Sequence, residues 1–467
     1  MKFTSFGRAV LASLLVAAGC SSSSVSSSGK PGETGEGAAS NGTDAGGAAG
    51  STLAGGNSGG RSGNAGSVSN GGSATSNGGS GGGTTGSGGT SDGGGTPSST
   101  GGTSGTRDAG TGGSGGAVYP EPGQRTGPGV LPPATDSVTY EGKLLYDNTN
   151  IVRDLGYSGV VNGQIVWTFG DTLVTNGTGS QFAASDSAAL GDFANPMKVH
   201  DENLSADGLP QEWIPLTADE QANGGLGEFA EGGTNVVEYA PNQGLVWFLK
   251  NDRGSGTDHI IGGGVATVTA DENGPKATRS MDHMWESDEP NWGDVGVTYD
   301  PTDRKVYVFG HGEASMNVNG TVFLARVPAA KATDVTAYEY WDQAAKTWGT
   351  TRYGNGRAGT KTYTTDQALF SYAAHGQSNA FWSNYYNTWM FVYGADWPNS
   401  DIYVSTAPKL EGPWTSPLTI GTTCPTGTCG TLRYCTAPHP EFDASGKTLL
   451  VTWTDANQVD AVRVTWK

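Results

Sequence analysis

The chain has 467 residues, of which 77 are glycine and 35% are hydrophobic, and it carries a formal net charge of −19 at neutral pH. An acid surplus of that size, with no basic cluster to neutralise phosphates, excludes nucleic acid and other polyanions as partners and leaves neutral ligands. At the start, MKFTSFGRAVLASLLVAAGC sets Lys2 and Arg8 before an apolar run from Ala9 to Ala18. A run of about ten apolar residues is too short to span a bilayer and has the form of a secretory h-region.

The ending Ala17-Ala18-Gly19-Cys20 resembles a bacterial lipobox, although leucine is commoner where Ala17 stands. Residues 1–20 are therefore expected to be a lipoprotein signal peptide with Cys20 as the lipidated residue; a plainly cleaved export signal is the simpler alternative. The resemblance further implies outer-membrane sorting, because Ser21 rather than Asp follows the cysteine. An exported protein is expected, at the outer membrane or cell surface or released from it, and touching membrane only through the anchor. Residues 21–117 are almost entirely Gly, Ser, Thr, Ala and Asn, a composition that cannot bury enough apolar surface to offset chain entropy. They predict a disordered Gly/Ser-rich linker with a root-mean-square span on the order of 55 Å.

Residues 118–467 hold all 13 tryptophans and many short β-rich runs, and predict one all-β domain. Five runs share one layout, a strand opening on small or polar residues, a turn, then an aromatic-apolar strand: DLGYSGVVNGQIVWTFGD, GTNVVEYAPNQGLVWFLKND, WGDVGVTYDPTDRKVYVFGHG, GQSNAFWSNYYNTWMFVYGAD and HPEFDASGKTLLVTWTDA. Five such units predict a five-bladed β-propeller, a monomer with four-stranded blades around a channel; a β-sandwich is the alternative. Near its end, CPTGTCGTLRYC predicts one disulfide among Cys424, Cys429 and Cys435 with one thiol left over; no paired C-x-x-C completes a zinc set.

In a propeller each innermost strand begins at one mouth of the channel. Asp154, Asn235, Asp294, Gln377 or Ser378, and His439 fall near that position in the five repeats. Asn162-Gly163 in the first repeat is a two-residue hairpin signal, and its register sets Asp154 opposite Asp171. Facing carboxylates destabilise a purely structural strand, but their repulsion pushes two pKa values apart, which suits glycoside hydrolysis by one protonated and one ionised acid. Register kept to both ends gives the short separation of a retaining enzyme. A bulge at Leu155-Gly156 either opens the wider gap in which an inverting enzyme holds its water or turns Asp154 to solvent as a mere turn cap.

Aromatic residues favour a sugar ligand, with Trp285 and Trp292 of MWESDEPNWGD as the candidate platforms and Trp382, Tyr385 and Trp397 accompanying the fourth repeat. His311 follows VYVFG and is expected to cap a strand, while His375 and His439 approach the mouth as hydrogen-bond donors or as ligands of a central ion. No complete metal-ligand set is legible, so neither metal nor cofactor is expected. There is no G-x-S-x-G elbow for Ser-His-Asp chemistry.

At these residues the chain resembles a known family. RDLGYSG followed by WTFGDTL, then WGDVG, LEGPWTSP and PHPEFDASGKTLLVTW, are similar to the five-bladed propeller endo-D-arabinanases of glycoside hydrolase family 183, formerly a domain of unknown function. The likeness spans most of residues 147–467. It implies Asp154 and Asp171 as catalytic aspartates and endo-cleavage of α-D-arabinofuranosyl linkages in D-arabinan, a neutral polysaccharide. Leu155 and Tyr157 stand where many relatives have glycine or serine. The competing expectation is a surface-tethered, non-catalytic carbohydrate-binding propeller; a sialidase-like enzyme is disfavoured because no arginine cluster is available to hold a carboxylate.

Overall fold

Asn162 and Gly163 take φ values of 53° and 73°, the left-handed pair that a two-residue hairpin turn with the right twist requires. They join the strands Ile151–Val161 and Gln164–Thr175. Asn242, Arg304 and Asn387 adopt φ of 53°, 58° and 56° in front of the second strands of three later repeats, so the hairpin is the repeated unit. The computed structural model describes residues 127–467 apart from 177–178, 255–258, 314–319, 371–376, 396–398, 428 and 430–431. The expected signal peptide with Cys20, the linker, and His375 and Trp397 lie outside the described residues.

Five antiparallel blades follow. In blade 1 the order from the centre outward is Ile151–Val161, Gln164–Thr175, Ser187–Asp192 and Asn195–His200. The innermost strand of blade 2 comes in two pieces, Phe229–Gly233 and Val237–Ala240, both paired with Gln243–Asp252, which is followed by His259–Asp271 and Gly274–Arg279. Asn291–Asp300, Lys305–His311, Val322–Pro328 and Glu339–Asp342 form most of blade 3. Blade 4 is Asn379–Ser383, Thr388–Gly394, Asp401–Ala407 and Leu418–Thr422. Blade 5 runs Arg433–His439, Thr448–Asp455 and Gln458–Trp466, and its outer place is filled by Thr135–Lys143 from the start of the domain, paired along Gln458–Trp466. First and last segments thus pair and close the ring, so that Gln458–Trp466 is covered on both sides.

Strand alternation sends one side chain in two into the gaps between blades, and each gap is a separate apolar core. Trp247 and Val265 of blade 2 pack with Val306 and Phe323 of blade 3, and Phe309 of blade 3 with Phe391 of blade 4. Val392 of blade 4 packs with Trp453 and Val462 of blade 5, Val166 of blade 1 with Val246 of blade 2, and Trp167 of blade 1 with Leu450 and Val459 of blade 5. One helix, Ala218–Ala222, is present among the described residues beside short 3-10 turns.

The inner strands of blades 1, 3 and 5 all lose register at one level, between Arg153 and Tyr157, Trp292 and Gly296, and Tyr434 and Ala437. Leu155 and Gly156 stand there at φ 66° and 81°, Gly293 at 92° and Cys435 at 55°. Below the bulges Tyr157 crosses the channel and donates a 2.6 Å hydrogen bond to the Val295 carbonyl of blade 3, separating one mouth from the other. The disulfide is Cys424–Cys429, with Cα atoms 5.8 Å apart, and Cys435 keeps a buried thiol.

Candidate active site

The blade 1 bulge corrects the simple hairpin arithmetic. Arg153 pairs with Thr172 and Leu155 with Phe169, so Asp154 has no ladder partner of its own. It is nonetheless not turned to solvent: Asp154 is only 5% exposed. Blade 5 holds the kink in place, since the Leu155 amide donates to Thr454 Oγ1 at 2.9 Å and Thr452 Oγ1 donates to the Gly156 carbonyl at 3.0 Å. Arg153 anchors the other side, buried, ion-paired to Asp201 at 2.5 Å and lying over the Phe169 ring. Gly170 must lack a side chain, because a Cβ there would fall 2.4 Å from Asp154 Oδ1.

Asp154, Asp171, Glu231, Arg253, Asp294 and Gln377 line one cavity of about 60 Å³ at the mouth where the inner strands begin. Asp154 Oδ2 accepts from the Tyr434 hydroxyl at 2.8 Å, while Oδ1 has no hydrogen-bond partner of good geometry among the described residues. Burial and then the charge of Asp171 push the Asp154 carboxyl up to about 8, against the pull of Tyr434, the nearby Asp171 amide and Arg253. Asp171 is differently placed. Its Oδ1 accepts from Arg253 Nη2 at 2.8 Å in a partly exposed ion pair, and an adjacent cation favours the carboxylate.

Glu231 is fully buried and accepts from Arg279 Nη1 at 2.7 Å. Arg279 also binds Glu220 at 2.8 Å, and Lys250 contacts Glu220 and Asp282. Three carboxyls therefore share two cations. Glu220 ionises far below the usual carboxylate range, since hydrogen bonds from Arg279 and Lys250 outweigh its burial. Burial pushes the Glu231 carboxyl up to about 9, with Arg279 opposing and Glu220 adding to the rise.

Blade 3 repeats the blade 1 arrangement with one change. Gly293-Asp294-Val295-Gly296 matches Arg153-Asp154-Leu155-Gly156, and Phe309-Gly310-His311 matches Phe169-Gly170-Asp171. Asp294 Oδ1 accepts from the His311 amide at 2.9 Å and Oδ2 meets His311 Nδ1 at 2.8 Å. His311 thus does more than cap a strand: its amide and ring hydrogen-bond both oxygens of the aspartate that shares the cavity.

Of the residues expected around the mouth, Asp154, Asp171, Asp294 and Gln377 come together. Asn235 does not, because it lies between the two pieces of its strand, bridges the Val297 amide and carbonyl, and lines the opposite mouth. Ser378 is wholly buried in the channel wall, its amide bonded to Val295 O at 2.8 Å. His439 ends the fifth inner strand rather than beginning it, and is enclosed by Ser158 Oγ at 2.5 Å, Thr452 Oγ1 at 2.7 Å and the Trp167 ring. Trp285 and Trp292 are not sugar platforms. Each is 1% exposed, packed against Tyr338 and Tyr340 in the core between blades 2 and 3, while Asp288 and Glu289 of that loop are bound by Arg357 and Arg352.

Sequence reasoning missed Glu231, Arg253 and Tyr434. Each sits just outside a repeat as it was delimited: Glu231 in the strand piece before GTNVV, Arg253 directly after FLKND, and Tyr434 in the inner strand that precedes HPEF. A register drawn from the second strands backwards would have included Glu231 and Tyr434.

The protein is an all-β, five-bladed propeller with a buried aspartate, its carboxyl pushed up by burial, and an ion-paired aspartate in one mouth. No protein-family model and no curated protein matches the chain. Among solved structures it is similar to a protein of Bacteroides ovatus at 14% identity and TM-score 0.47, covering 69% of this chain and 86% of that one. The exo-β-1,3-galactanase of Phanerochaete chrysosporium with β-1,3-galactotriose is similar at 12% identity and TM-score 0.41, with 71% and 64% covered, so the chain spans under two thirds of that protein. The arabinanase of Bacillus subtilis follows at 9% identity and TM-score 0.37, with 70% and 96% covered.

Proposed function

We propose that this protein is a glycoside hydrolase that cleaves a neutral furanose polysaccharide, endo-acting on α-D-arabinofuranosyl linkages of D-arabinan. One observation carries the reaction class: Asp154 and Asp171 line a single cavity in opposite electrostatic settings, Asp154 buried with its carboxyl raised to about 8 and Asp171 held by Arg253. Asp154 is then the general acid that protonates the leaving oxygen, and Asp171 the carboxylate that acts on the anomeric side, as base or nucleophile. Glu231, with its proton, is a hydrogen-bond donor to substrate. The acidic chain and the sequence resemblance support a neutral arabinan-like polymer.

The chemistry uses no cofactor, so chelation leaves turnover unchanged. On this reading a single copy works at the end of the 21–117 linker, lipid-anchored through Cys20 at the outer membrane or cell surface. Incubation with a panel of furanose polymers, D-arabinan included, followed by chromatography of the products tests the assignment. Oligosaccharide release that disappears in Asp154→Asn and Asp171→Asn supports it. Binding without release, equal in wild type and both variants, would instead make the protein a carbohydrate-binding propeller.

A further inference from the structure

The larger cavity lies at the other mouth. Beyond the Tyr157 bridge the channel opens into a funnel of about 550 Å³, within the range of small-molecule sites, roughly 300 to 1,000 Å³. We infer that this funnel is a second, non-catalytic site that binds a sugar unit of a neutral glycan.

Its wall carries an aromatic residue at one repeated position. Tyr239, Tyr299 and Trp382 each stand one residue before the end of the innermost strand, in blades 2, 3 and 4. All three line the funnel and are partly exposed. The Trp382 ring is steadied edge-on against Trp389, with centroids 5.4 Å apart. Such rings, half in and half out, offer flat faces to the apolar C–H surface of a sugar, in contrast to the enclosed Trp285 and Trp292.

The floor supplies hydrogen-bonding capacity that the described residues leave unused. Glu441 is 6% exposed. Its Oε1 receives the Ser158 hydroxyl and lies 3.6 Å from His439 Nδ1, while Oε2 has no partner among the described residues. The buried indole Nε1 of Trp382 has none either. A buried acceptor left unsatisfied costs about 1 to 3 kcal/mol, and a ligand hydroxyl donating to Oε2 removes that cost. A second ligand oxygen can accept from the indole. One acceptor, one donor and stacking faces are the set that a polyhydroxylated ring fills.

Charge narrows the ligand. No lysine or arginine is among the described residues lining the funnel, so an anionic sugar finds no counter-charge. Glu238 is already engaged, with Oε1 accepting the amides of Asn162 and Asn242 at 2.8 and 2.7 Å. The remaining polar side chains of the floor, Ser158, Asn235 and Asn379, are neutral and match hydroxyls better than a cation. The site faces away from the Asp154 mouth, so it is independent of the hydrolase reading, and it would raise the local concentration of polymer around the domain.

Ligand-observed NMR titration with arabinose, galactose and a neutral oligosaccharide tests this, with tetramethylammonium as the cationic control. Saturable sugar binding is expected in wild type and in Asp154→Asn alike. Trp382→Ala and Glu441→Gln should each weaken it about tenfold, the effect of one lost hydrogen bond or stacking face. Trp382→Phe keeps most of the packing and removes the indole donor, so a binding loss there in a folded chain separates recognition from misfolding. Trp382→Ala should leave turnover of a short soluble substrate unchanged and lower turnover of insoluble polymer. Sugar binding indifferent to all three funnel variants, or tetramethylammonium binding in place of sugar, overturns the inference.

Discussion

Asp154→Asn should abolish activity and at the same time stabilise the fold, and the second effect should depend on pH. An aspartate ionises near 3.8 in the unfolded chain, whereas burial and the neighbouring Asp171 push Asp154 up to about 8 in the folded one. Below 3.8 both states hold the proton and nothing is lost. As pH rises towards 8 the unfolded chain ionises and the folded one does not, so stability drains away across that window. Each pH unit inside it costs about 1.4 kcal/mol, which gives about 4 kcal/mol at pH 7. Relaxation around the pair brings the expected gain on replacement to about 3 kcal/mol. With an unfolding entropy of about 2.1 cal/mol/K per residue over residues 127–467, that raises Tm by about 4 °C. Scanning calorimetry of both proteins from pH 4 to pH 8 measures it: near-equal Tm at pH 4, a growing gap above. A gap that does not change with pH, or a less stable variant at pH 8, would refute the reasoning. In wild type the same proton predicts an alkaline activity limb near pH 8, read from kcat/KM.

Asp171→Asn should leave the fold intact by circular dichroism and lower turnover by about 10² to 10⁴. Tyr434→Phe deletes the hydroxyl that favours the charged form of Asp154, so the alkaline limb should move to higher pH with the acid side of the profile unchanged. Trp292→Ala opens a cavity in the core between blades 2 and 3 and should cost about 3 to 5 kcal/mol of stability in denaturant titration, while KM measured on the folded fraction stays where it was. The Leu155-Gly156 bulge and the shared cavity leave room for a water beside the carboxyl pair, so proton NMR of the first-formed product should show inversion at the anomeric carbon; retention would make Asp171 the nucleophile.

Blade number was legible because hairpin signals such as Asn162-Gly163 and the aromatic-apolar second strands repeat locally in sequence. The Asp154–Asp171 neighbourhood was legible for the same reason, since both residues belong to one hairpin. What the sequence hid were partners brought by other blades: Arg253 comes from the neighbouring blade 2, and Tyr434 of blade 5 reaches blade 1 only through ring closure. Trp285 and Trp292 misled because polar neighbours suggested exposure, whereas Arg352 and Arg357, some sixty residues away, pair with those neighbours, and Tyr338 and Tyr340 pack the rings. His439 misled by register, for the fifth inner strand begins at Arg433 and its far end points into the channel wall.

The repeat also argues for which aspartate carries the chemistry. Blades 1 and 3 deliver an aspartate to the same cavity on the same kinked strand, one facing Asp171 and the other His311. Asp294 has both oxygens hydrogen-bonded by His311, by its amide and its ring, an arrangement that fixes the strand. Asp154 faces a second carboxyl instead, and the Asp171 amide and the Tyr434 hydroxyl do not offset its burial and that repulsion. A site that merely needed a firm mouth would have used the second solution twice. Retaining the unfavourable pair in blade 1, at a cost of several kcal/mol near neutral pH, makes sense where a proton must be held until a leaving oxygen takes it. Asp171→His would import the blade 3 solution into blade 1. It should satisfy Asp154, raise Tm at pH 7 as Asp154→Asn does, and silence turnover. A folded Asp171→His protein with near wild-type turnover would show that the frustration of the pair is not what the reaction uses.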